Sequence, residues 1–82
     1  MHDHSNTVSR VLSDVCAFPR DYMDNEMILG QFCNQDMMED LTDAINHQFG
    51  TRIKPEVIVL NMTIGELYQV VNDAAASGRS HF

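Results

Sequence analysis

Asp36-Met-Met-Glu-Asp-Leu-Thr-Asp-Ala-Ile-Asn-His-Gln-Phe-Gly50 is followed by Thr51-Arg-Ile-Lys-Pro-Glu-Val-Ile-Val-Leu-Asn-Met62 and then by Thr63-Ile-Gly-Glu-Leu-Tyr68. On a helical wheel, Met37, Met38, Leu41, Ala44, Ile45 and Phe49 share one side, and Asp36, Glu39 and Asp43 lie opposite with Asp40 at their flank. That spacing predicts an amphipathic helix from about Asp36, where Glu39 three residues on forms a capping pair. Gly50 supplies its left-handed stop. Pro55 suits the first position of a short third helix over residues 56–60, because its missing N–H is not needed there. Thr63 and Glu66 form a Thr-x-x-Glu capping box, a specific start signal for a last helix.

Outward from that stretch the pattern stays helical. Ser5, Asn6 or Thr7 can cap a first helix whose apolar residues Val8, Val11, Leu12 and Val15 recur at helical spacing. Pro19 is expected to end it. Residues 19–34 read as a long connection pinned to the helices by Tyr22, Met23, Met27, Leu29 and Phe32, and loops of that length are often functional. The last helix is expected to turn Ile64, Leu67, Tyr68 and Val71 inward, with Ala74 or Ala75 closing the stripe. Residues 78–82 read as a frayed tail. The Val57-Ile-Val-Leu60 run is also compatible with a short strand on propensity alone, but its brevity and the preceding proline favour a helical turn. The expected architecture is all-α: a small four-helix bundle of three longer helices, one short third helix and a long first loop. One domain spans residues 1–82, its core covering about residues 7–75.

Bulk properties narrow the function. Eighty-two residues allow a modest core but no deep catalytic cleft. Twelve acids against five bases give a formal charge of -7, which repels phosphate backbones and excludes nucleic acid as the expected partner. A basic protein surface is the expected counterpart. No basic region followed by an apolar run opens the chain and no apolar run spans a bilayer, so a cytoplasmic protein without a membrane span is expected. Cys16 and Cys33 are too few for a disulfide scaffold and form no CxxC pair, which favours two partly buried reduced thiols.

The acidic face is the main candidate site. Asp36, Met37, Glu39, Asp40 and Asp43 form the expected partner-binding surface, because no lysine or arginine occurs between Arg20 and Arg52 to neutralise it. A merely solvated helix face, whose acids favour the helix N-terminus, is the plain alternative. These carboxylates face away from the expected core, so acid–base catalysis is not expected of them. No calcium-loop spacing is present, and Asp21, Asp24 and Glu26 match no cation loop. His2 and His4 lie on a polar lead-in, and His47 suits a helix C-terminus. No phosphate loop or catalytic arrangement is recognisable, so no enzyme and no metal site are expected.

The helix order, Phe49-Gly50 with Ile53-Lys-Pro55 after it, and Thr63-Ile-Gly-Glu-Leu67 resemble the acyl or peptidyl carrier protein family over roughly residues 7–75. The resemblance implies an acidic four-helix bundle with a very short third helix. It also implies a serine at the start of the second helix, within Asp-Ser-Leu, that carries phosphopantetheine. Here the equivalent position falls at Gln35 or at Met37, and neither has a hydroxyl. The expectation is a degenerate carrier-like monomer without the arm, docking on a synthase or acyltransferase through its second helix. One alternative is a working carrier of fatty-acid, polyketide or nonribosomal peptide biosynthesis with phosphopantetheine on a displaced site; direct loading of Cys33 is one version of that. Another is an unrelated helical adaptor or chaperone that binds a partner helix in a groove formed by Met37, Met38 and the loop apolars.

Overall fold

A computed structural model describes residues 4–79, with side chains through residue 76. Three α-helices carry the fold: α1 (Ser5–Cys16), α2 (Gln35–Phe49) and α3 (Ile64–Arg79). Two single turns of 3-10 helix, Arg20–Tyr22 and Leu29–Gln31, punctuate the first connection. The chain is all-α among the described residues, apart from one isolated antiparallel bridge between Ile28 and Thr63.

α1 packs chiefly on α2 and touches α3 less. Val8 and Leu12 of α1, Leu41 and Ile45 of α2, and Ile64, Leu67 and Val71 of α3 are fully buried together with Leu29 from the loop. At about 25 cal/mol per Å² of apolar surface, burying each such side chain favours folding by about 1.5–3 kcal/mol. The helical stripes therefore close on one core, as their spacing predicted. Val15, Met37, Ala44, Phe49, Tyr68 and Ala74 are half-buried at its edge.

The helix ends depart from expectation in four places. α1 starts at Ser5 after the N-cap His4, whose side chain makes no cap hydrogen bond, so Ser5, Asn6 and Thr7 lie inside the helix and not at the cap position. It ends at Cys16, before the influence of Pro19, where Ala17 turns left-handed (φ 53°). α2 is capped by Asn34, whose Oδ1 accepts from the Met37 N–H at 3.1 Å, and not by Asp36 with Glu39. Asn ranks with Asp as an N-cap, and here its backbone holds the extended geometry a cap needs. α3 runs through Gly78 to Arg79, so the expected fraying there is absent; residues 80–82 of that expected tail lie outside the described residues. The Thr63 cap forms as expected: Thr63 N–H donates to Glu66 Oε1 at 2.8 Å and Glu66 N–H to Thr63 Oγ1 at 3.1 Å.

The short third helix over residues 56–60 is not formed. Residues 55–57 make a turn closed by Val57 N–H on the Lys54 carbonyl at 3.0 Å, and the chain beyond is irregular. The cause is local. Val57-Ile58-Val59 is a run of β-branched residues, which lose χ1 freedom in a helix. The following backbone is engaged elsewhere: the Leu60 and Met62 carbonyls accept from Gly30 and Leu29 at 2.8 and 2.9 Å. Ile58 points into the core while Val57 and Val59 stay exposed.

Those two bonds belong to a short ladder that ties the long loop to the approach of α3. Ile64 N–H donates to the Met27 carbonyl and Gly65 N–H to the Asn25 carbonyl, both at 2.9 Å. A Cβ on Gly65 would lie 3.2 Å from the Asn25 oxygen, so the approach favours glycine. The loop is thus pinned as expected through Leu29, Met23, Met27 and Phe32. Tyr22 is the exception: it is 71% exposed and meets only the edge of Phe18 among the described rings.

Candidate functional site

The α2 sequence places its carboxylates as its periodicity requires. Asp36, Glu39, Asp40 and Asp43 are all exposed, while Met38, Leu41, Thr42 and Ile45 face the core. None of the four carboxylates is in an ion pair among the described residues. Asp36 also sits in the first turn, where the N-terminal end of the helix dipole favours its charge. Met37 is half-buried against the core, so the ridge has one apolar contact point beside its acids. All five expected partner-binding residues therefore come together on one helix.

A shallow open cleft of about 360 Å³ borders this ridge, lined by Gln35, Asp36, Met38, Glu39 and Pro55. It lies between the first turns of α2 and the turn that replaces the third helix. The exposed Val57 and Val59 follow that turn. The surface is acidic with apolar points, a composition suited to a basic partner carrying aliphatic side chains.

The start of α2 offers little nucleophilic chemistry. Gln35 is its exposed first residue, and Met37 follows within the first turn. Thr42 is 2% exposed, its hydroxyl turned inward. Cys33 is bonded to Cys16 in a disulfide, with the two Cα atoms 5.4 Å apart. The expectation of two reduced thiols is thus corrected, and so is Cys33 as a free loading site. The helices bring the end of α1 against the start of α2, within the 4.4–6.8 Å Cα span a disulfide needs.

Comparison with protein-family models, curated proteins and solved structures found no match. Among the described residues no helix is long and apolar enough to cross a membrane, and no cluster of three metal-ligating side chains occurs. His4 rests edge-on against Phe49, ring centroids 5.0 Å apart, at the far end of α2 from the cleft; His2 lies outside the described residues.

Sequence reasoning missed one hub entirely. Asn46, in the last turns of α2, accepts from Ile53 N–H and Thr51 Oγ1 at 2.8 Å each and donates to the Ile53 carbonyl at 2.9 Å. Gly50, in the left-handed region (φ 64°), turns the chain so that this side chain can reach it. An Asn four residues before a Gly stop was the available signal. The hub fixes residues 51–53 and so leads the chain into the turn that walls the cleft.

Proposed function

We propose that this chain is a carrier-protein-like, non-catalytic docking module whose α2 ridge engages a basic surface on a partner enzyme, a synthase or acyltransferase. The observation that carries the reading is the ridge itself: Asp36, Glu39, Asp40 and Asp43 exposed together without counter-ions among the described residues. The order of helices, the Phe49-Gly50 stop and the Thr63–Glu66 cap support a carrier-type plan, with a turn where the short third helix is expected. Gln35 and Met37 at the start of α2 favour a module without a phosphopantetheine arm. It acts as a cytoplasmic monomer on this reading.

A phosphopantetheinyl transferase serves as the probe, since it both docks carrier proteins and reports attachment. Binding is titrated for the wild-type chain and for E39K/D40K/D43K over a salt series. The reversed variant is expected to bind at least about tenfold more weakly at low salt, with a flattened salt dependence. Equal binding by both chains would remove the docking role. Intact mass after co-expression gives the second readout: a gain equal to the arm would overturn the armless reading and locate a displaced attachment residue.

A further inference from the structure

Cys16 closes α1 and Cys33 stands immediately before the Asn34 cap of α2, so their disulfide fastens the exit of one helix to the entrance of the next. The bond spans a sequence separation of 17 residues. The two halves of the loop it closes are held differently. Residues 25–30 are tied by the backbone ladder to residues 60–65. Residues 17–24 have no such ladder; they are held by Met23 packed at the edge of the core, the Phe18–Phe32 stack at 4.6 Å, the Phe18–Tyr22 edge contact and the exposed Arg20–Asn6 hydrogen bond at 2.9 Å. Ala17, next to Cys16, sits in a left-handed conformation that disfavours any residue with a Cβ. The bond therefore holds the least secured half of the loop against the helix that carries the acidic ridge.

We propose that Cys16 and Cys33 form a thiol–disulfide switch that sets how firmly the first turn of α2 is held. Its consequence for docking and its reducing cytoplasmic setting rest on the proposed function; the response of the bond to a reductant does not. In a reducing cytosol a disulfide persists as a redox-responsive bond and not as a permanent staple. Reduction takes a dithiol from outside. Its thiolate attacks one sulfur to form a mixed disulfide and expels the other cysteine as a thiolate. The second thiol of the reductant then attacks the mixed disulfide and frees the second cysteine. The dithiol gives up two electrons and becomes a cyclic disulfide, and its two protons end on the Cys16 and Cys33 sulfurs.

The switch is reversible because the helices do not depend on it. Val8 and Leu12 on one side and Leu41 and Ile45 on the other are fully buried, and they keep α1 and α2 together when the bond opens. The sulfurs then remain neighbours, poised to re-form the bond. Reduction instead loosens the segment leading to the cap: the Phe32 and Cys33 amides, both donating to the Leu29 carbonyl, and the Met37 amide held by Asn34.

The test compares hydrogen exchange of the chain in its oxidised form and after reduction with dithiothreitol, thiols being counted by alkylation and intact mass. Both forms are expected to keep their helical circular dichroism. The Phe32, Cys33 and Met37 amides are expected to exchange about tenfold or more faster when reduced, while those of Leu41, Ile45, Leu67 and Val71 change less than about twofold. Oxidised dithiothreitol should restore the slow pattern, and C16S/C33S should reproduce the fast one. Equal exchange in the two forms, loss of helix on reduction, or failure to re-form the bond would each overturn the switch. No partner enters this experiment, so a failed docking test leaves its outcome independent.

Discussion

Asn46→Ala removes the one side chain that satisfies both backbone groups of Ile53. The amide and carbonyl of that residue bond to Asn46 at 2.8 and 2.9 Å, and Thr51 Oγ1 adds a third bond at 2.8 Å. Ile53 is itself buried, so water cannot freely replace what is lost. A net hydrogen bond contributes about 1 kcal/mol, and a buried group left unpaired costs about 1–3 kcal/mol. The three together give a destabilisation of about 2–4 kcal/mol, a large part of the roughly 4–12 kcal/mol expected of a domain this size. The midpoint of thermal unfolding should fall by about 8–32 °C at 4–8 °C per kcal/mol.

Two controls isolate the cause. Asn46→Asp keeps the acceptor for Ile53 N–H and Thr51 but places a carboxylate oxygen against the Ile53 carbonyl near a helix C-terminus, so it should recover only part of the loss. Thr51→Val should cost about 1 kcal/mol alone and much less in an Asn46→Ala background, since the partner is already gone. Urea unfolding followed by helical circular dichroism measures the four variants against the wild type. An Asn46→Ala change within about 0.5 kcal/mol of wild type, the range of an ordinary surface substitution, would refute the hub.

Three further substitutions follow from single contacts. Thr42→Val should stabilise by about 1 kcal/mol in the same urea assay, because the buried Thr42 hydroxyl has no hydrogen-bond partner among the described residues; a loss of stability would show that the hydroxyl is satisfied. Ala17→Gly relieves the left-handed backbone at the end of α1 and should gain about 0.5–1 kcal/mol, read as a rise in melting temperature. Thr63→Ala deletes the acceptor for Glu66 N–H and should cost about 1 kcal/mol, with faster exchange confined to the first turn of α3; unchanged exchange there would count against the cap.

Periodicity revealed the parts of this fold that repeat along one helix. The inward stripes of α1, α2 and α3 and the outward ridge of Asp36, Glu39, Asp40 and Asp43 were legible because side chains on a helix sort by angle alone. The Thr63–Glu66 box and the Gly50 stop were legible because they are local. The misreadings arise where distant backbone intervenes. The turn at residues 55–57 stands where a short helix was expected because the β-branched run at residues 57–59 disfavours one, and the chain then leads into backbone that bonds to the loop at Leu60 and Met62. Asp36-x-x-Glu39 imitated a cap that Asn34 performs two residues earlier. The Cys16–Cys33 bond depended on how α1 meets α2, which spacing along the chain does not encode.

The ladder between residues 25–30 and 60–65 has a consequence for proteolysis. Two irregular stretches that would ordinarily invite nicking share their amides and carbonyls, so neither can straighten into a protease cleft without releasing the other. The exposed turn around Pro55, Glu56 and Val57 lies outside that ladder, and its one backbone bond closes on Lys54. Limited digestion should therefore cut at this corner before it cuts within residues 25–30, yielding one large fragment that ends beside the acidic cleft and one that carries α3.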